Sequence, residues 1–381
     1  MRAVVVGAGV FGVWTAHHLR AGGASVTIVD GYGPGNSRSS SGDETRILRC
    51  GYGPDLIYSD LAARSLIQWK NLETRLGLSC EPLWHPCGVL WMAACDDAYT
   101  TATRETLERG SHGVEVFDNA GLRQRFPQID ADGIAMALLE PDAGVLSARR
   151  AVRALAAYLE RRGVRALSGR VAPPAPSSSL REVRLADGSE VEGDLFVFAC
   201  GAWLPQLFPD VLAGRIRPTR QVVVYFGTPA GDRRFGPDRM PAWIDFPAGV
   251  YGTPDIDGRG VKVGVDEHGP GMDPDRDDRV ADEASIQRAR DWLARRVPAL
   301  AGAPVIETRV CQYENTATGD LLIDRHPEHA NVVIVGGGSG HGFKHGPAVG
   351  ELAARLALIG AAPHPRFSLD TKTTDARRTV Y

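Results

Sequence analysis

MRAVVVGAGVFGVWTAHHLRAGGASVTIVD, residues 1–30, reads as an apolar strand Arg2–Val6, a turn Gly7-Ala8-Gly9-Val10-Phe11-Gly12, a helix through Arg20 and a second strand ending at Asp30. A strand, a glycine turn, a helix and a strand in that order form a dinucleotide-binding unit. Gly7 permits the turn, Gly9 lets the backbone approach a pyrophosphate, and Gly12 lets the helix pack closely on the sheet. The helix N-terminus then faces the phosphates. Asp30 stands where a carboxylate accepts both ribose hydroxyls of an unphosphorylated adenosine, which favours FAD or NAD over NADP.

The 381 residues, 43% hydrophobic and 23% charged, are enough for a substantial core and two domains. A formal net charge of -3 gives no global attraction to nucleic acid or an acidic membrane, so neither is expected as a partner. With the first strand beginning at residue 2, there is no room for a secretory signal, and no apolar run approaches the length of a membrane helix. The six cysteines, at 50, 80, 87, 95, 200 and 311, show neither metal-ligand spacing nor a disulfide rhythm. A cytoplasmic protein without a catalytic metal is expected.

Helical patterns follow over Leu56–Leu76, Asp96–Gly110, Val152–Arg161, Ile286–Leu293 and Ala348–Leu358. Strand patterns fall at Val89–Met92, Leu180–Leu185, Leu195–Cys200, Gln221–Phe226, Gly249–Tyr251, Val261–Val265 and Asn331–Val335. Strands near both chain ends are expected to share one nucleotide-binding sheet. Residues 1–85, 140–215 and 305–381 then make a discontinuous FAD-binding domain, and 86–139 with 216–304 a β-rich substrate domain. The polar stretch Asp370–Tyr381 reads as a poorly ordered tail.

Gly42-Asp43-Glu44-Thr45-Arg46-Ile47-Leu48-Arg49, Gly260-Val261-Lys262-Val263-Gly264, Cys311-Gln312-Tyr313, Asp324–His329 and Ser339-Gly340-His341-Gly342-Phe343-Lys344 occur in one order along the chain. In this order they resemble the monomeric sarcosine oxidase and N-methyl-amino-acid oxidase family, flavoenzymes of the D-amino-acid-oxidase-like group. The resemblance implies an α/β and α+β fold, with a glutathione-reductase-like FAD-binding domain and a mixed-sheet substrate domain. It implies oxidation of an amine C–N bond to an imine, with O2 as acceptor and H2O2 as product, by a monomer.

By the same resemblance Cys311 carries the FAD as a thioether, and Lys262 lies over the flavin and helps oxygen accept electrons through its positive charge. Arg49 and Lys344 hold the substrate carboxylate, while Arg46 tunes the flavin ring. Tyr251 and Tyr313 match aromatic pocket positions. Gly338, Gly340 and Gly342 belong to a loop whose N–H groups reach the pyrimidine end of the flavin. His341 either contacts that region or is a satisfied structural histidine.

Two positions depart from the family pattern. Asp266 replaces a histidine and either accepts from the substrate nitrogen or is a plain turn carboxylate. Gly338 replaces a bulky aromatic, which suggests a wider pocket. A larger secondary or cyclic amino or imino acid is therefore expected over sarcosine. Two alternatives share these residues: a flavin dehydrogenase with another electron acceptor, and a non-enzymatic flavoprotein that binds a carboxylated metabolite.

Overall fold

The computed structural model describes residues 1–77, 81–94, 97–110, 112–374 and 377–380. Arg2–Val6 (β1) has three successive valines, and its last four residues are buried. Burial on both faces suits an interior parallel strand. β1 pairs in parallel with Ser25–Asp30 (β2) on one side and Leu195–Phe198 on the other. Val332–Gly336 continues the sheet in parallel, Leu322–Arg325 closes that edge antiparallel, and Arg165–Ser168 closes the other edge beside β2.

The turn after β1 leads into the helix Val10–Ala21 (α1). Gly7 has φ 106°, and a Cβ there would sit 2.3 Å from the carbonyl oxygen of Ala199. Only glycine serves at this point, because both the conformation and the neighbouring strand end forbid a side chain. α1 in turn lies against the helix Gly346–Ile359, where a Cβ at Gly350 would come within 2.5 Å of the Trp14 backbone. Two glycines of that helix, Gly346 and Gly350, thus let the backbones close up. Trp14 packs edge-on against Trp69 of the helix Leu56–Leu76 at 5.1 Å, extending the same core.

A second sheet has eight strands, in the order Val305–Asn315, Arg217–Phe226, Val261–Val265, Val250–Thr253, Ala242–Asp245, Val89–Ala93, Met136–Glu140 and Glu115–Phe117. It is mixed, because Ala242–Asp245 runs parallel to Val89–Ala93 while its other neighbours alternate. The helix Glu283–Arg296 covers one face, stacking Trp292 on Trp243 at 5.4 Å. Val261 and Val263 join that core. Strand alternation then sends Lys262 to the opposite face, toward the first sheet. A small sheet of Thr45–Leu48, Gly144–Ser147 and Trp84–His85 lies between the two.

Three expectations need correction. Val305–Asn315, assigned from sequence to the FAD-binding domain, instead hydrogen-bonds along its length to Arg217–Phe226 in the eight-stranded sheet. The strand expected over Leu180–Leu185 shrinks to Glu182–Arg184, which forms a two-stranded hairpin with Glu190–Glu192 outside the two large sheets and accepts at the Arg184 carbonyl from the Ala172 amide. The C-terminal segment is docked: Val380 is buried, the Thr379 and Val380 amides donate to the Thr318 carbonyl, and Arg378 pairs with Asp266 at 3.1 Å. Polar composition hid these anchors because each partner is distant in sequence.

The helix expected from Asp96 begins at Ala98 behind an Asp97 cap that accepts from the Thr100 amide. Asp96 itself, Cys80, Cys95 and residues 375–376 and 381 lie outside the described residues. Among the described residues no helix is long and apolar enough to cross a membrane.

Gly350→Ala is expected to cost about 1–3 kcal/mol, since its methyl group meets backbone that cannot rotate away. Gly302→Ala, with nothing within 4 Å of its Cβ, is expected to leave stability unchanged or slightly raised. Urea midpoints of the two variants against wild type check this, and equal midpoints for all three would refute the helix-contact argument.

Candidate active site

Two cavities meet inside the molecule, and Arg46, Cys311, Tyr313, Gly340 and Phe343 line both. The first cavity begins at the β1–α1–β2 turn. Asp30 ends β2 with its carboxylate held by three backbone amides, those of Ala8, Tyr32 and Gly33, at 2.6–2.8 Å. A Cβ at Gly9 would meet only Ser41 Oγ, at 3.4 Å, so that side of the turn is left open to the cavity. Gly12 serves packing, since a Cβ there would overlap the Gly7 carbonyl.

The far wall of this cavity holds a carboxyl that the sequence reading missed. Glu314 is buried beside the Gly336–Gly342 loop, and its Oε2 has no protein hydrogen-bond partner. Burial pushes its pKa up to about 7, although the Gly338 and Gly337 amides oppose the shift. An acidic residue beside Tyr313 in an otherwise buried strand was the available signal. A long cavity with a fixed carboxylate at one end, an open glycine turn, and an unsatisfied polar oxygen in its wall fits a dinucleotide that has hydroxyls to donate.

Gly338 lines this first cavity and not the second. A Cβ there would meet Glu314 Oε1 at 3.0 Å and the Phe11 ring at 3.7 Å. The sequence expectation that Gly338 widens the substrate pocket is therefore corrected: the space it leaves open belongs to the nucleotide side. Gly340, at φ 83°, lies against the Tyr313 ring, 2.5 Å from where its Cβ would be, and Gly342 packs on Gly338 and Phe11. The loop is glycine-rich because it is folded against itself and against two aromatic rings.

The second cavity is lined by charged groups. Arg49 is buried with its guanidinium between the Tyr52 ring, at 4.3 Å, and the Trp91 ring, at 4.6 Å, and it donates to the Gly51 carbonyl. Lys344 approaches the same Tyr52 ring at 5.0 Å and donates to the His341 carbonyl at 3.0 Å. Burial and then the neighbouring Arg49 push the Lys344 ammonium well below the ordinary lysine range. An anion placed between the two groups would relieve that repulsion.

Tyr52, which sequence reading left unassigned, is the platform for both cations. Its hydroxyl meets His345 Nε2 at 2.7 Å and His341 Nδ1 at 3.2 Å. His341 Nε2 reaches the Gly319 carbonyl at 2.9 Å, so both ring nitrogens have protein partners. The structural alternative for His341 is the one its surroundings favour. Burial and the nearby Lys344 hold it well below the usual histidine range, as a neutral ring.

Lys262 is buried in the cavity wall, its Nζ 2.5 Å from Asp43 Oδ2 and 3.0 Å from the Thr45 carbonyl. Asp43 also accepts from Arg46 and, at 2.8 Å, from the Tyr225 hydroxyl. Burial raises the Asp43 carboxyl, but Lys262 and Arg46 outweigh it and keep it far below the ordinary carboxylate range. Arg46 Nη2 lies 3.5 Å from Cys311 Sγ at the junction of the cavities. Tyr251 and Tyr313 face each other across the junction with their hydroxyls 3.4 Å apart. Asp266 lines the second cavity, and its carboxylate is paired with Arg378, a wall residue supplied by the segment expected to be disordered.

Comparison with known proteins agrees with this arrangement. The sequence profile of the FAD dependent oxidoreductase family matches residues 2–356. Monomeric sarcosine oxidase from Bacillus sp. (strain B-0618) is 32% identical over 370 residues, covering 95% of this chain and 93% of that protein. N-methyl-L-tryptophan oxidase from Salmonella heidelberg (strain SL476) is 26% identical over 366 residues, covering 93% and 94%. In fold, the chain superposes on L-proline dehydrogenase from P. horikoshii with a TM-score of 0.85 at 22% identity, covering 99% of both chains. A modified fructosyl peptide oxidase from Aspergillus nidulans gives 0.85 at 20% identity, covering 99% and 94%. The profile match, the sarcosine oxidase identity over almost the full length and the two joined cavities lead to one conclusion: the chain belongs to the FAD dependent oxidoreductase family and is a sarcosine-oxidase-like flavoenzyme.

Proposed function

We propose that the protein oxidises the C–N bond of a secondary or cyclic amino acid to an imine, passes the electrons to O2 to form H2O2, and carries its FAD on Cys311 as a monomer. The observation that carries this reading is the junction itself, where the thiol of Cys311 and the guanidinium of Arg46 stand between a dinucleotide-shaped cavity and a cavity with a cationic clamp. FAD, once bound, supplies the two-electron acceptor for the amine. The chain's own residues supply orientation and charge.

Arg49 and Lys344 bind the carboxylate, and the aromatic sandwich around Arg49 fixes its direction before substrate arrives. Trp91, Ile244 and Phe246 form an apolar wall for the rest of the substrate. These rings and branched chains favour a ring or an apolar side chain over the bare methyl of sarcosine. The amine reacts as the neutral base, and two hydrogens leave it, one from carbon and one from nitrogen. The buried ammonium of Lys262 lowers the cost of negative charge arriving on oxygen. Water then hydrolyses the released imine.

Anaerobic mixing with N-methyl and cyclic amino acids tests the reading. Bleaching of the bound flavin, then recovery in air with one H2O2 per imine, is expected. Bleaching with no peroxide in air would make the protein a dehydrogenase, and a flavin that no amine bleaches would make it a binding protein.

Arg49→Met and Lys344→Met are each expected to weaken an amino-acid substrate about 10–100-fold, the worth of one charge-assisted hydrogen bond. The matching amine without a carboxylate should lose little. Equal losses for the two ligands, read from flavin bleaching titrations, would remove these residues from carboxylate binding.

Acid-denatured wild-type protein is expected to keep a yellow peptide spanning Cys311, while Cys311→Ala releases all its FAD. Peptide mass mapping reads the difference, and free FAD from mature wild type would refute the attachment.

A further inference from the structure

Lys262 is an ammonium with three N–H groups, and the structure offers it three acceptors: Asp43 Oδ2 at 2.5 Å, the Thr45 carbonyl at 3.0 Å and Thr45 Oγ1 at 3.5 Å. The carboxylate and the carbonyl can only accept, so they hold two of its N–H groups, and the Thr45 hydroxyl, which can donate or accept, is the longest contact of the three. The geometry points to a specific role for Asp43, and it rests on the reading of Lys262 given above. We propose that Asp43 is a positioning residue: its carboxylate keeps Lys262 charged inside the protein and holds it in the wall of the second cavity.

Among the described residues, the charges around the cluster leave no other group to do this. Glu44, beside Asp43, is engaged by Arg149, Arg259 and Arg309. Glu307 on the strand Val305–Asn315 pairs with Arg259 and Arg309. Cys311 on that strand, Tyr225 on Arg217–Phe226 and Tyr251 on Val250–Thr253 are the remaining titratable neighbours. Across the cavity stand Arg49, Lys344 and the Asp266–Arg378 pair. Asp43 is the carboxylate in contact with Lys262, and it serves two cations at once, so the cluster keeps one net positive charge.

Removing the carboxylate would leave Lys262 and Arg46 as two buried like charges. Arginine keeps its proton under such pressure and lysine gives its proton up. Burial already pulls Lys262 below the ordinary lysine value, and Asp43 is the largest influence opposing that shift. Without it Lys262 gives its proton to solvent, and the positive charge left in the wall is the one Arg46 already carries.

The chain holds only four lysines, Lys70, Lys262, Lys344 and Lys372, so selective 13Cε-lysine labelling gives a spectrum in which Lys262 is followed directly. Titration of the oxidised, FAD-loaded protein is expected to put the Lys262 midpoint in Asp43→Asn at least ~1 pH unit below wild type, the scale of one close opposite charge. Arg46→Met should move it the other way, and Asp43→Glu should restore it. Tyr225→Phe, which keeps the ion pair, should move it little. In the FAD-loaded protein, pre-reduced with substrate, reoxidation of Asp43→Asn should fall about tenfold as pH rises through the shifted midpoint, while Lys262→Met is slow at every pH.

Coincident Lys262 midpoints in wild type and Asp43→Asn would overturn the proposal, as would an Arg46→Met shift of the same sign, a second check that stands even where Asp43→Asn fails to fold. Wild-type reoxidation rates in Lys262→Met would instead overturn the oxygen role of the lysine, a separate failure, because the NMR midpoints still decide whether Asp43 holds the charge.

Discussion

One buried carboxylate holds the two halves of this molecule in register. Asp43 reaches from the segment that leaves the nucleotide-binding sheet to Lys262 and Tyr225 on the eight-stranded sheet, and it receives Arg46 from its own segment. Taking such charges out of water costs several kcal/mol per ion, and a single ion pair rarely repays it. Here the carboxylate has three side-chain donors and Lys262 a further carbonyl, so the penalty is met by a satisfied network. Because that network forms only when both sheets are in place, it ties the junction of the cavities to one relative placement of the sheets.

The same logic governs the surroundings of Arg49 and Lys344. Arg49 is directed by Tyr52 and Trp91, and Tyr52 is directed by two histidines from the glycine loop. Neither histidine needs to be charged, and burial with nearby cations keeps both neutral. The aromatic faces attract the guanidinium through their negative ring faces and fix its direction.

What the sequence made legible was local. Gly7, Gly9, Gly12 and Asp30 announced the nucleotide unit because a turn, a close approach and a strand end are all settled within thirty residues. Lys262 between two valines read on pattern alone as a solvated strand face, and only family resemblance gave roles to Lys262, Arg49, Lys344 and Cys311. The rest depended on partners far along the chain: Asp43 meets Lys262 at a separation of 219 residues, and Tyr52 meets His341 at 289. Arg378 looked like part of a loose tail because polar residues give no hint that Asp266 and Thr318 await them. Gly338 was misread for the opposite reason: an absent side chain shows that space is needed, but not which cavity needs it.

β1 and Leu195–Phe198 lie at the centre of the six-stranded sheet, with Val332–Gly336 beside them near the end of the chain. On the ribosome, therefore, the glycine turn at residue 7 is made long before Val332–Gly336, and the sheet that supports it stays open until that strand emerges. During that interval an apolar edge is exposed and pairing must wait for distant residues, the situation in which chains aggregate or need chaperones. Cofactor loading accordingly waits for the strand Val332–Gly336, however much earlier the nucleotide-binding motif emerges.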